Sequence, residues 1–190
     1  MIEGAVKEEG RIHRFSEEER RGLYRAIYDR RDVRSHFTSE PIAEDVLARV
    51  LDAAHHAPSV GFMQPWNFII IQNVEVRQSI HEIFESANQA AAELYDSDRR
   101  ALYNGLKLAG ILEAPINLCV TCDLTTLRGS GLGRQTMPET ALYSTVCAVE
   151  NLWLAARAEG VGVGWVSILD IGELRAALGI PEVVMPVAYL

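Results

Sequence analysis

Arg30-Arg31-Asp32-Val33-Arg34 packs three guanidiniums and one carboxylate into five residues. It does so in a chain of 190 residues with a formal net charge of -8. The planar fork of Arg matches phosphate oxygens bidentately, so the cluster points to a bound anion. A carboxylate among those arginines is favoured in its charged form and is placed to accept or pass protons beside such a ligand. The same residues also fit a solvated charge run at a helix end.

Upstream, residues 1–15 read as an arm. Ser16-Glu17-Glu18-Glu19 has capping-box spacing and opens a helix through Leu23, Ala26 and Ile27 to about Asp29. Downstream, Pro41 and Ala43-Glu44-Asp45 start a second helix, with Val46, Leu47, Val50, Leu51 and Ala54 at helical spacing. His55 and His56 close it, where cations suit the helix dipole. The loop Ala57-Pro58-Ser59-Val60-Gly61-Phe62-Met63-Gln64-Pro65 leads into the β-prone run Trp66–Gln72. Residues 75–108 read as mostly helical, and their Ala-rich, polar middle suits a lid or excursion, placed at 88–110. A buried strand is expected over 115–122. An apolar helix is expected over 138–159, hydrophobic on nearly all sides and therefore buried, often at a subunit interface. Gly160-Val161-Gly162-Val163-Gly164 then leads into a strand over 164–167. A short helix (171–178) and a strand (183–190) follow. This order predicts α+β or α/β, with 16–190 as one domain.

Composition narrows the function classes. The pI near 5.1 argues against a nucleic-acid partner. Basic residues are 16 Arg and two Lys, a bias that reduces the weight of any isolated Arg. No apolar run approaches the roughly 18 residues of a membrane span, and the first 15 residues do not read as a signal peptide. Three cysteines in apolar surroundings suit a reducing cytoplasm. Cys119 and Cys122 have CxxC spacing, but strand alternation puts them on opposite faces, so no metal site is expected. The glycines of Leu127–Gly133 lack the GK[ST] of a nucleotide P-loop.

Three motifs in this order resemble the FMN-dependent nitroreductase family: Arg30-Arg31-x-Val33-Arg34 with Phe37, Ala57-Pro58-Ser59 with Gln64-Pro65-Trp66, and Gly160-x-Gly162-x-Gly164-Trp165. The resemblance covers about residues 16–190. It implies an α+β fold, an α/β/α sandwich with a mixed sheet and helices on both faces, in a domain-swapped homodimer. Family members continue past the point where this chain stops, and that extension wraps the partner subunit and adds to the flavin site. Flavin contacts are implied for Arg30, Arg31, Asp32, Val33, Arg34, Pro58, Ser59, Gly61, Phe62, Met63 and Ser167.

Two positions point to one branch. Family reductases carry Ser between the arginines, where this chain has Asp32, and Ser167 ends the strand after the glycines. With Gly61 and Glu139–Ser144, these resemble the flavin-fragmenting branch. There, reduced FMN (FMNH2) is consumed as a substrate with O2, giving 5,6-dimethylbenzimidazole, the lower ligand of vitamin B12, and erythrose 4-phosphate. In that setting Arg30, Arg31 and Arg34 anchor the flavin and its phosphate, and Asp32 moves protons as a general acid/base. Gly61 lets backbone approach the oxygen site, and Ser167 hydrogen-bonds the ring edge or relays a proton. The 88–110 lid excludes bulk water. A negative Asp32 near flavin N1 opposes an anionic hydroquinone, so simple hydride transfer would be better served by a neutral Ser. Two rival readings stay open: an NAD(P)H-dependent nitro- or flavin reductase, and a non-catalytic flavin-binding module. No strand-linked GxGxxG is present, so reduced flavin is expected from a separate reductase or from solution.

Overall fold

The computed structural model describes residues 7–8, 11–12, 14–129 and 132–190. Within the N-terminal arm, β1 (Lys7–Glu8) pairs antiparallel with β2 (Arg11–Ile12). Helix α1 (Glu17–Asp29) starts where the capping box placed it: Ser16 Oγ accepts the Glu19 N–H, and the Glu19 carboxylate accepts the Ser16 N–H at 2.8 Å. Helix α2 (Glu44–His55) follows, then a 3-10 turn at Val60–Phe62 and strand β3 (Trp66–Ile71).

The long helical stretch is two helices, α3 (Val74–Glu93) and α4 (Ser97–Asn104). The break falls at Asp96, whose side chain caps α4 by accepting the Arg99 N–H. Strand β4 (Asn117–Asp123) begins two residues beyond Pro115, which has no N–H to give a ladder. Helices α5 (Thr140–Ala158) and α6 (Ile171–Leu178) and strand β5 (Val184–Tyr189) complete the chain.

The regular sheet has the order β3-β4-β5 and is antiparallel throughout. Pro186 lies on the edge strand β5, opposite Thr121 at the register shift of β4, where a missing donor is tolerated. The expected mixed pairing survives as one parallel bridge, Asp32 with Val163. The expected strand over 164–167 is likewise reduced to an antiparallel bridge between Val166 and Tyr189. Gly162 and Gly164 on either side of Val163 offer no side chains for cross-strand packing, so the pairing stays local.

Helices cover both faces of the sheet, giving the α+β sandwich. Alternation along β4 sends Leu118 and Val120 toward Val50 and Ala54 of α2 and Ala148, Val149 and Leu152 of α5. Cys119 points the other way, toward Ile80 and Phe84 of α3 and Leu174 of α6. Cys122 returns to the first face, against Met63 and Ala141, so the two thiols do lie on opposite sides. Burial pushes the Cys119 thiol up to about 12 and raises that of Cys122.

Helix α5 is not covered on all sides. Tyr143, Val146 and Cys147 stay exposed beside a buried row from Ala141 to Ala156. Helix α1, which packs on α5, buries none of its residues; Leu23, Tyr24 and Tyr28 are each more than two-fifths exposed. Among the described residues, no helix is long and apolar enough to cross a membrane.

Candidate active site

The basic cluster leaves α1 as extended backbone, with Arg30 at φ −62°, ψ 146°. Three residues on, Val33 N–H donates to the Val163 carbonyl at 2.9 Å. This brings Asp32 against the glycine-rich segment that follows α5. Its carboxylate serves two partners: Oδ1 accepts the Trp165 backbone N–H at 2.9 Å, and Oδ2 accepts Nε and Nη2 of Arg34, each at 2.7 Å.

The glycines explain this approach. A Cβ on Gly164 would lie 2.0 Å from the Val33 carbonyl oxygen, and one on Gly162 would lie 3.2 Å from Val33 Cγ2. Gly160, at φ +79°, does something different: it ends α5, with Val161 N–H reaching back to the Ala156 carbonyl. Two glycines of the motif thus admit the Arg30–Arg34 strand, and one turns the chain out of the helix.

The three arginines do not converge. Arg30 turns to α5, with Nε 3.2 Å from Glu150 Oε1 and its guanidinium 5.4 Å from the Trp153 ring centroid. Arg31 Nη1 donates to the carbonyls of Tyr28 and Arg30. Among the described residues no carboxylate pairs with Arg31, whereas Arg30 and Arg34 each have one. Glu150 and Trp153 were not among the site residues expected from sequence. The signal was present, since Glu150 is the sole acidic residue within α5.

The second group of expected residues lies in the loop before β3. Ser59 Oγ accepts the Gln64 N–H at 2.8 Å and its carbonyl accepts the Phe62 N–H. Val60 N–H donates to Ser144 Oγ in the second turn of α5, which fixes the loop to that end of the helix. Gly61, Phe62 and Gln64 all have positive φ, and Gly129 packs so closely that a Cβ there would lie 2.1 Å from the Gly61 carbonyl oxygen. Pro58 and Phe62 are exposed, the Phe62 ring at 72%. Met63, expected as a ligand contact, is wholly buried in the core against Cys122 and Ala141. His55 Nδ1 takes the indole N–H of Trp66 at 3.2 Å, a structural use for that imidazole.

Ser167 is exposed, two residues past Trp165 and one past Val166, whose N–H donates to the Tyr189 carbonyl. Asp32 and Ser167 therefore share one end of the molecule. Gly61 sits near the start of α5, roughly 20 Å along its axis from the helix end at Glu159, given ~1.5 Å per residue.

The Nitroreductase family matches residues 27–189. A 5,6-dimethylbenzimidazole synthase of Rhodospirillum rubrum is 49% identical over 171 residues, covering 90% of this chain and 81% of that one. The chain belongs to the nitroreductase family. Its fold agrees with family members of known structure. A nitroreductase with bound FMN from Bacteroides fragilis aligns at a TM-score of 0.61 and 25% identity, covering 88% of this chain and 84% of that one. A BluB-like flavoprotein from Clostridium difficile aligns at a TM-score of 0.65 and 20% identity, covering 88% and 87%. Within this nitroreductase-family fold, Asp32 and Val33 tie the basic cluster to the glycine segment.

Proposed function

We propose that this chain uses O2 to fragment reduced FMN, forming 5,6-dimethylbenzimidazole and releasing erythrose 4-phosphate. The observation that carries the reading is the Asp32 carboxylate, held between the Trp165 N–H and the Arg34 guanidinium. A fixed anion at this position opposes simple hydride storage on a flavin and suits the repeated proton transfers that C–N and C–C cleavage requires. The identity to a named synthase supports the same reading.

The residues present fit a flavin with a phosphate tail. Arg31, exposed and without a carboxylate partner among the described residues, has guanidinium donors for the phosphate. Val60 and the exposed Phe62 ring offer an apolar wall, and Gly61 admits close backbone approach. When bound and reduced, the flavin supplies the electrons for O2 and is itself the carbon source of the product. Asp32 would take and return protons at the bound flavin, with Arg34 holding the carboxylate in place through Nε and Nη2. Ser167 relays a proton or hydrogen-bonds the ring edge. The excursion over 88–110 excludes water. Reduced flavin arrives from a separate reductase or from solution.

We further propose that the working unit is a homodimer. The exposed Tyr143, Val146 and Cys147 of α5 are the face through which two copies would meet.

The test is anaerobic reduction of FMN with the protein, admission of air and mass analysis of the small molecules. Dimethylbenzimidazole appearing with stoichiometric loss of flavin is the expected result. Flavin recovered intact would overturn the reading in favour of a reductase.

A further inference from the structure

The excursion between α3 and β4 rejoins the core through residues 108–111, and Gly110 is where it meets Phe37. Gly110 is buried, and the Phe37 ring abuts it by one edge: a Cβ there would sit 2.3 Å from Cδ2 and 2.4 Å from Cε2 of that ring. Phe37 is three residues beyond Arg34. Between them His36 holds φ 65°, a conformation that costs a non-glycine residue about 1 kcal/mol or more. Residues 32–37 are therefore fixed at one end by the Val163 and Trp165 hydrogen bonds and at the other by the Phe37–Gly110 contact.

The excursion itself is lightly held. Leu94, Leu102 and Leu106 are exposed. Its polar ties include Tyr103 Oη to Asn88 Oδ1 at 2.7 Å, Arg100 to the Ala92 and Glu93 carbonyls, each at 3.0 Å, and the Lys107–Glu113 ion pair. Few buried apolar contacts mark a segment that opens at low free energy. Phe37 also lines an apolar cavity of about 460 Å³, bounded by Leu47, Leu51, Ile111 and Val163. That space lets the ring move without forcing a clash in a packed core.

We propose that Phe37 is a positioning residue. Seated on Gly110, its ring transmits the placement of the 94–110 excursion to Arg34 and so to the Asp32 carboxylate. The contact itself is independent of the flavin reading; only the identity of the ligand that draws the excursion closed rests on it.

Limited trypsin digestion tests this, because Arg99 and Arg100 lie within the excursion and are exposed. Phe37→Ala and Gly110→Ala should each speed cleavage at these arginines, relative to cleavage elsewhere, by about tenfold through easier local opening. In the double variant Gly110→Ala should add nothing, since no ring remains to be displaced. Phe37→Leu should restore most of the resistance, which separates the contact from a general failure to fold. FMN should slow cleavage of the wild-type chain and of Phe37→Leu, while Phe37→Ala should bind FMN without that protection. Unchanged cleavage in the single variants, or additive effects in the double, would overturn the proposal. Protection by FMN that survives Phe37→Ala would overturn it as well, leaving the flavin reading standing. A wild-type chain that does not bind FMN, but shows the variant effects on cleavage, would sink the flavin reading and leave the contact's role intact.

Discussion

Asp32 accepts the backbone N–H of Trp165 at 2.9 Å across 133 residues of sequence, and its second oxygen takes Arg34. The carboxylate thus does two jobs, fastening the basic segment to the glycine segment and presenting a charge there. Asp32→Asn separates them. The amide oxygen can still accept from Trp165, so the fold and FMN binding should be kept. The general acid/base is lost, so formation of dimethylbenzimidazole should fall by about 10²–10⁴-fold. Product measured by mass analysis at a near-normal rate, with FMN affinity unchanged, would show that Asp32 moves no essential proton.

The glycine segment gives a graded prediction. A Cβ on Gly164 meets backbone, the Val33 carbonyl oxygen at 2.0 Å, which cannot give way without parting the two segments. On Gly162 it meets the Val33 side chain at 3.2 Å, which can rotate. Gly164→Ala should therefore cost about 3 kcal/mol, or roughly 6–12 °C in Tm, and weaken FMN binding with it. Gly162→Ala should cost about 1 kcal/mol or less. Equal melting temperatures for the two variants would mean that the segments are not in this contact.

Much of this architecture was legible in the sequence because its signals are local. The Ser16–Glu19 capping box set the start of α1, and the short helix expected over 171–178 is α6 with both ends. Asp96 carries the cap signal that divides the mostly helical stretch of 75–108 into α3 and α4. The partners of the arginine cluster were not legible. Glu150 lies 120 residues from Arg30, and which guanidinium reaches it depends on how α1 crosses α5. The 164–167 strand failed for a related reason: its β-prone residues needed pairing partners that β5 and Asp32 supply at single residues only. Phe37 stood in a recognised motif, but its seat on Gly110 is a nonlocal contact that no spacing reveals.

Arg49 pins the start of α2 to the end of α5. Its Nε and Nη2 donate to the two Glu159 oxygens at 2.8 and 2.9 Å, and Nη1 donates to Asp45 at 2.8 Å. These hydrogen bonds hold both carboxyls below their ordinary values. A depressed folded-state pKa contributes stability above the unfolded-state value, and that contribution is lost as pH falls through the folded one. Arg49→Gln should therefore lower Tm slightly at pH 7, the effect of an exposed pair being small. The two melting curves should converge as the buffer is taken below the carboxylate range. A difference that persists or grows in acid would place the effect in packing of the Arg49 stem instead.

The cysteines report on both the core and the proposed dimer. Cys119 and Cys122 are buried with raised thiol pKa values, Cys119 at about 12, while Cys147 is exposed beside Tyr143 and Val146. At low protein concentration an aromatic disulfide reagent should titrate one thiol quickly, and the other two only on unfolding, because the thiolate is the reacting species. Two fast thiols would contradict the burial of β4. If two copies pair through α5, raising the concentration should slow the reaction of Cys147 by about tenfold as the dimer population grows. Tyr143→Glu places a charge in that contact and should return Cys147 to its fast rate, with elution at the monomer volume on gel filtration. A Cys147 rate independent of concentration, together with monomer elution of the wild-type chain, would remove this face as the meeting place of two subunits.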